Sequence, residues 1–292
     1  MQNVEIDKYV FSGHDSFQCR DLWLKKGFDF LISGNSFNDS DSVVKLGVGK
    51  NMVSSIKFWL KAFNIINSED NLTEFGKKIF DDENGYDPYL EDEATLWLLH
   101  YQLIKRRYAS TYTILFNDFR KEKMFFNKKV FANYIKRIWD KKISSNFNEN
   151  TIHRDFGVFA NLYKNISQES NSRDSYTGIL SEIDILKSNR SAGDDSYYIE
   201  NAERDNLSEF VILYSILDNE NYSDSISLNS LEFDIDSPGS IFALNRSGLL
   251  NKIEEIVSTF KDITFTDQAG IKELQFKIKP DKFRVLDKYY GK

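Results

Sequence analysis

A mainly α-helical protein with small β wings, built from tandem winged helix-turn-helix units, is the fold class this sequence predicts. Three observations predict it. Leu46-Gly-Val-Gly-Lys-Asn-Met-Val53 and the residues up to Ile66 read as a short helix, a glycine turn and a second amphipathic helix, with Leu72–Phe80 following as a hairpin-like wing. Residues 127–163 run again as helix, turn and amphipathic helix. A third instance is outlined by Ser237–Leu244, Ser247–Phe260 and a hairpin over Ile263–Ile278 that turns at Asp267-Gln-Ala-Gly270. The likeness among the three is architectural, with no repeated sequence.

Taken in order, Phe11–Phe17 suggests a strand or turn, and Cys19–Phe28 a short helix ending at Gly27. Asp39-Ser-Asp-Ser42 offers N-caps for a helix through Val43, Val44 and Leu46, which the Gly47-Val-Gly49 pair breaks. In the next helix Val53, Ile56, Leu60 and Phe63 fall on one stripe, beside Met52 and Trp59, while Asn51, Ser54, Ser55 and Lys61 point away. After the polar turn 81–85 and Asp87-Pro88, Asp92 or Glu93 opens the apolar helix Ala94–Ile104, with Leu96, Leu99 and Leu103 inside. A short apolar segment and two basic helices occupy 112–142, the second starting at Asn127 and packing Val130, Tyr134 and Ile138. Helix 151–163 shares Ile152, Phe156, Phe159 and Tyr163 on one face and turns His153, Arg154 and Asn161 outward. The domain reading is therefore 1–108 winged-helix-like, 109–165 a basic helical segment with the second helix-turn-helix, 166–206 a flexible polar connection rich in Ser, Asn and Asp, and 207–292 an acidic winged-helix-like domain.

With 292 residues, only 3 Pro and a large share of Phe, Tyr, Leu and Ile, the chain has the composition of ordered globular protein. A single cysteine excludes an intrachain disulfide, and no basic, apolar leader opens the sequence, so a reducing cytoplasm is the expected compartment. No apolar run approaches the roughly 20 residues a membrane span needs. The net charge of -7 hides an asymmetry: residues 1–165 hold 24 Lys and Arg against 22 Asp and Glu, and the remainder 14 against 23. Within 105–142 there are 12 basic residues against 3 acidic ones, a block suited to displacing counterions from a phosphate backbone.

The chemistry-bearing groups point elsewhere than catalysis. Gly47-Val-Gly-Lys50 lacks the spacing of a phosphate-binding loop and is followed by Asn51, not Ser or Thr. His14, His100 and His153 have no companions at metal-ligand spacing. Asp87, Glu91 and Asp92 read as turn and helix-start charges, with clustered Mg²⁺ carboxylates of a nuclease the lesser reading. Cys19, beside Arg20 and near Lys25, reads as a small core residue, with an activated persulfide carrier as the sharper alternative. No catalytic residue, metal ligand set or cofactor motif is assigned.

Phe11-Ser-Gly-His14, Leu46-Gly-Val-Gly-Lys-Asn-Met-Val53, Phe58-Trp59, Asp87-Pro-Tyr-Leu-Glu-Asp92 with Leu96-Trp-Leu-Leu-His100, Asn150-Thr-Ile-His-Arg-Asp155, Ser237-Pro-Gly239 and Tyr289-Tyr290 together resemble the bacterial domain-of-unknown-function family 4007 over nearly the whole chain. The resemblance implies a place beside phosphorothioation-type DNA-modification and anti-phage defence genes, hence a DNA-side or accessory role. It carries over no catalytic residues. Asp267-Gln-Ala-Gly270 departs from the family's threonine-alanine-glycine string.

The expectation is a protein that binds double-stranded DNA. Lys50, Asn51, Ser54, Lys57 and Lys61 would approach one groove, Arg120, Lys128, Lys129, Arg137 and Lys141 would hold phosphates, and Arg154 and Asn161 would lie on the second recognition-like helix. DNA-modification or restriction proteins of the same system are the candidate protein partners. The alternatives are a protein-docking scaffold, which the acidic C-terminal half favours, and a metal-dependent nuclease. Oligomeric state is not legible.

Overall fold

The computed structural model of the chain describes residues 4–142, 147–165, 177–191 and 194–292, with the side chains of 141–142, 190–191 and 194–195 outside that description. It is mainly helical with two small antiparallel sheets. Two compact units are distinguished: Val4–Glu91 with Gln102–Glu200, and Asp92–Tyr101 with Asn201–Lys292. Neither is one run of sequence, where the linear reading has four consecutive segments.

In the larger unit α1 (Trp23–Ile32), α2 (Ser42–Leu46) and α3 (Lys50–Ala62) come first. Helix α1 does not end at Gly27. It continues to Ile32, and Gly27 sits where an added Cβ would lie 2.6 Å from Leu60 of α3, so this glycine permits two helices to meet closely. Gly47 does end α2, in the left-handed conformation at φ 62° that a side chain resists. On α3, Val53, Ile56, Phe58, Trp59 and Leu60 are buried as the stripe requires, but Ser55 is buried too and not outward. The predicted wing is a further helix, α4 (Glu74–Phe80), because Thr73 caps it by accepting the Gly76 N–H at 2.9 Å; only an isolated bridge between Ile66 and Leu72 precedes it.

Helix α5 spans Glu93–Lys105, and its residues up to Tyr101 count with the smaller unit. Then come α6 (Ser110–Ile114), a π-helical turn over Leu115–Phe119 and the short α7 (Arg120–Glu122), which form one nearly continuous rod, buried as far as Phe119. Strand β1 (Phe125–Phe126), α8 (Lys128–Lys142) and α9 (Glu149–Tyr163) follow, then a hairpin of β2 (Lys187–Ser191) and β3 (Asp194–Tyr198), with strand order β1-β3-β2. The stretch expected to be a flexible connection thus contains a hairpin, preceded by buried Ile179, Leu180, Ile183 and Ile185. Residues 166–176 and 192–193 of that expectation lie outside the described residues. Packing here is aromatic: Phe119 meets Phe126, Phe131 and Tyr134 with ring centroids at 5.0–5.3 Å. Each such fully buried ring contributes about 1.5–3 kcal/mol by leaving water.

The smaller unit continues with α10 (Glu209–Leu217), β4 (Ser225–Ser227), α11 (Leu228–Phe233), α12 (Pro238–Ile241), α13 (Arg246–Thr259), a hairpin of β5 (Ile263–Gln268) and β6 (Ile271–Phe276), and α14 (Lys282–Tyr290), with strand order β4-β6-β5. The hairpin turns at Ala269-Gly270, where the sequence places it. Buried His100 bonds through Nε2 to the Ile241 carbonyl at 2.9 Å. The terminal tyrosines tie α14 to the start of α5: Tyr289 donates to Asp92 at 3.1 Å, and Thr95 and Tyr290 share a 2.7 Å hydrogen bond. Burial, aided by the Asp92 charge, pushes the Tyr289 phenol up to about 12, so it stays a donor.

Helix, short strand, helix, helix, hairpin is therefore a connectivity written twice. It runs from α6 through α8 and α9 to β3, with the π-helical turn and α7 before the strand, and again from α10 through α11 and α13 to β6, with the four-residue α12 added between the two helices. In both runs the lone strand pairs with the last strand of the hairpin.

Candidate nucleic-acid interface

A buried polar node positions α9. The Asp155 carboxylate accepts the Ser12 N–H at 2.6 Å and the His14 Nε2 proton at 2.7 Å on Oδ1, and the Thr111 hydroxyl on Oδ2. His14 Nδ1 accepts the Ser16 N–H at 3.2 Å, which assigns the ring proton to Nε2. The imidazole stacks on Trp59 of α3, centroids 5.8 Å apart, and Trp59 in turn donates to the Phe17 carbonyl at 3.0 Å. Two motifs that lie far apart in sequence, Phe11-Ser-Gly-His14 and His153-Arg-Asp155, are thereby joined. The node ties α3 and α9 to one N-terminal segment.

With α9 so held, its buried side is Ile152, Asp155, Phe156, Val158, Phe159, Leu162 and Tyr163, and its outward stripe is Asn150, Arg154, Gly157 and Asn161. Arg154 and Asn161 are exposed, as the periodicity places them. At Gly157 between them a Cβ would meet nothing within 4 Å, so the backbone itself is accessible. Asn148 caps the helix by accepting the Thr151 N–H at 3.2 Å.

On α3, Lys50, Asn51 and Ser54 are exposed and Gly49 at the N-cap supplies no side-chain acceptor to the first N–H groups. Lys57 and Lys61 differ. Both are half-buried and converge on Asp70, at 2.7 and 2.8 Å, while Lys61 also donates to the Ser68 carbonyl at 3.0 Å. Burial alone would raise the Asp70 carboxyl; hydrogen bonds and charge from the two ammoniums outweigh it and hold the group below the ordinary carboxylate value. Lys57, Lys61 and Ser54 also line a surface pocket of about 350 Å³ with Phe58, Tyr108 and Asn38.

The phosphate-contact candidates are spread along the second helix pair. Lys128 and Lys129 are exposed at the start of α8, where Asn127 caps the helix by accepting the Lys129 and Val130 N–H groups. Arg137 is exposed, pairs with Glu122 at 2.7 Å and lies 4.8 Å over the Tyr134 ring. Arg120 is half-buried and donates through Nε to the Phe116 carbonyl at 3.3 Å. The side chain of Lys141 lies outside the described residues. Of the twelve sequence candidates, the structure brings Ser54, Lys57 and Lys61 together in one pocket and sets Arg154 and Asn161 on one face. Sequence reasoning missed Asp70, Asn38 and Tyr108, which sit in polar turns without periodicity, and the His14–Asp155 pair, whose partners are 141 residues apart.

The groups weighed for catalysis have structural partners. Asp87 Oδ1 accepts the Glu91 N–H at 2.9 Å, and Asp92 Oδ1 the Ala94 N–H at 2.8 Å. Among the described residues no three His, Cys, Asp or Glu side chains converge as a metal-holding group. Cys19 is fully buried; burial, with Asp21 adding to it, pushes its thiol well above the usual value, which disfavours the thiolate a sulfur carrier needs. Among the described residues no helix is long and apolar enough to cross a membrane.

A family model described as a protein of unknown function, DUF4007, matches residues 11–290. No curated protein is significantly similar to the chain. Two solved structures share the fold, one described as a magnesium ion-bound SspB crystal structure (24% identity, TM-score 0.85) and one as an SspB crystal structure (23%, 0.84). Each similarity covers 97% of this chain and 88% of the other.

Proposed function

The chain belongs to the DUF4007 family, and from that premise we propose that it is a DNA-binding accessory protein of a bacterial phosphorothioation-type DNA-modification or anti-phage defence system. The observation that carries the reading is the outward stripe of α9. It is small and polar around one arginine, on a helix preceded by the basic α8 and followed by a hairpin. Helix, strand, helix, helix, hairpin with the lone strand beside the last is compatible with a winged helix, and this supports a reading in which α9, the helix before the hairpin, enters the major groove. Short side chains and Gly157 let the α9 backbone approach base edges, Arg154 and Asn161 have the donors to read them, and Lys128, Lys129 and Arg137 supply phosphate contacts that set register. Lys50, Asn51 and Ser54 of α3 extend the same use to the first helix-turn-helix.

Mobility shift on duplex DNA across a salt series tests this. Binding should weaken steeply with salt, and Lys128→Gln with Lys129→Gln should flatten the log–log slope by about 0.9 for each phosphate no longer neutralised. No shift at low salt would sink the reading.

A second reading, a protein-docking surface, is favoured by α13. It occupies the same topological place as α9 yet presents Ser247, Asn251, Glu254, Glu255 and Ser258 outward. With Glu255 paired to Lys252 at 3.0 Å, Glu254 is left as the open charge of a stripe that holds no arginine or lysine, a face less suited to phosphate than α9 and better suited to a protein partner, for which the modification or restriction proteins of the same system are the candidates. A nuclease reading finds no such support. One of the similar structures is magnesium ion-bound, but the carboxylates here do not converge as a ligand set among the described residues.

A further inference from the structure

The pocket on the outward side of α3 has two kinds of wall. Its apolar side is aromatic: Phe58 and Tyr108 lie with ring centroids 5.3 Å apart, beside buried Phe37. Lys57 and Lys61 line its other side, their ammoniums held on Asp70 at 2.7 and 2.8 Å, with Asn38 and Ser54 exposed at the rim. The aromatic wall is held firmly, since the Phe11-Ser-Gly-His14 segment packs so closely on Phe58 that a Cβ at Gly13 would fall 2.6 Å from its ring. Burial keeps the Tyr108 phenol above its ordinary value against the opposing Lys57 charge, so its ring is neutral and its hydroxyl a donor. The volume of about 350 Å³ falls at the small end of ligand pockets, which begin at about 300 Å³.

A ligand that satisfies both walls has a planar aromatic part joined to an anion. We infer that this pocket receives a single nucleotide, its base laid on the half-buried Tyr108 ring that Phe58 backs and its phosphate met by Lys57 and Lys61. Asp70 marks the anion position: its carboxylate already bridges the two ammoniums, and a phosphate there would share or replace it. The Asn38 amide and Ser54 hydroxyl offer the donors and acceptors that base edges require. Resting on the DNA reading above, the nucleotide is one that duplex DNA presents unpaired, at a bulge or after extrusion from the stack, for which the unstacking cost is least when pairing is already absent. A free mononucleotide has the same chemistry, and the two sources separate by experiment.

The full-length chain is titrated against a perfect duplex, the same duplex with one bulged 2-aminopurine, and 2-aminopurine deoxyribonucleoside monophosphate. The expected result is about tenfold tighter binding of the bulged duplex than of the perfect one, with the fluorophore quenched as it stacks. Tyr108→Ala should abolish quenching and preference while leaving perfect-duplex affinity unchanged, and Tyr108→Phe should restore quenching. Asn38→Ala, at an exposed residue, should weaken the preference without touching the fold. Saturable quenching of the monophosphate without duplex binding would support the pocket with a free nucleotide as its ligand and overturn the DNA reading. Equal affinity for bulged and perfect duplex, with no quenching of either probe, would overturn the pocket and leave the DNA reading standing.

Discussion

Asp155 shows how one side chain can decide where a helix points. Its two oxygens collect a part-buried backbone N–H, a buried imidazole and a buried hydroxyl, so deleting it strands three donors at once. Each buried donor left unpaired costs about 1–3 kcal/mol, and Asp155→Ala should therefore lower the unfolding free energy by about 3 kcal/mol or more, read as a shifted urea midpoint at pH 7. A loss below about 1 kcal/mol would contradict the node. His14→Ala should behave similarly but more mildly, because the carboxylate keeps two of its partners. Arg154, next in sequence, has the opposite character: it is exposed, so Arg154→Ala should leave stability within about 0.5 kcal/mol of wild type.

At the scale of elements, α3 carries two classes of lysine that the sequence does not distinguish. Lys50 is exposed at the helix start, while Lys57 and Lys61 are clamped onto Asp70 in the turn that leads to α4. Because the folded-state carboxyl of Asp70 lies below its ordinary value, its stabilising contribution is complete above that ordinary value and is lost as pH falls through the lower folded one. Asp70→Asn should therefore be less stable at neutral pH and lose less on acidification than the wild type, measured as urea midpoints from pH 7 to pH 3. The same substitution releases a positive charge on the proposed DNA face and should steepen the salt dependence of duplex binding by about one unit. Weaker duplex binding by a folded Asp70→Asn protein would count against Lys57 and Lys61 as phosphate contacts.

Across the whole molecule the charge asymmetry acquires a meaning. Two runs of chain share a similar connectivity and differ in what the helix before each hairpin presents along its outward stripe, Arg154 and Asn161 on α9 against Glu254 and the Lys252-paired Glu255 on α13. In the division of labour proposed above, DNA contacts would be confined to candidates between Lys50 and Asn161 and a protein partner would meet the C-terminal run. Glu254→Lys with Glu255→Lys should accordingly leave the salt slope of duplex binding unchanged. A steeper slope with tighter binding would show that α13 also meets DNA and would end the division.

Much of this was legible in the residues because it depends on local rules. The i, i+3, i+4 stripes of α3 and α9 specify which faces leave water, Gly47 stops a helix by its backbone freedom, Asp267–Gly270 invites a hairpin, and clustered lysines repel one another into solvent. The same local reading failed where short-range cues competed. Thr73 capped a helix where a wing was expected, Gly27 served packing instead of termination, and Ser55 went inward on a crowded α3. Family membership was equally a property of the string, since motifs are matched without a fold. What only the tertiary structure decided are the joint properties of residues remote in sequence: the His14–Asp155 node, the pairing of β1 with β3 and β4 with β6, and the pocket that sets Tyr108 against Lys57. Their physical reason is shared. Desolvation, ring stacking and charge pairing depend on distance in space, and chain separation leaves that distance undetermined until the core has closed.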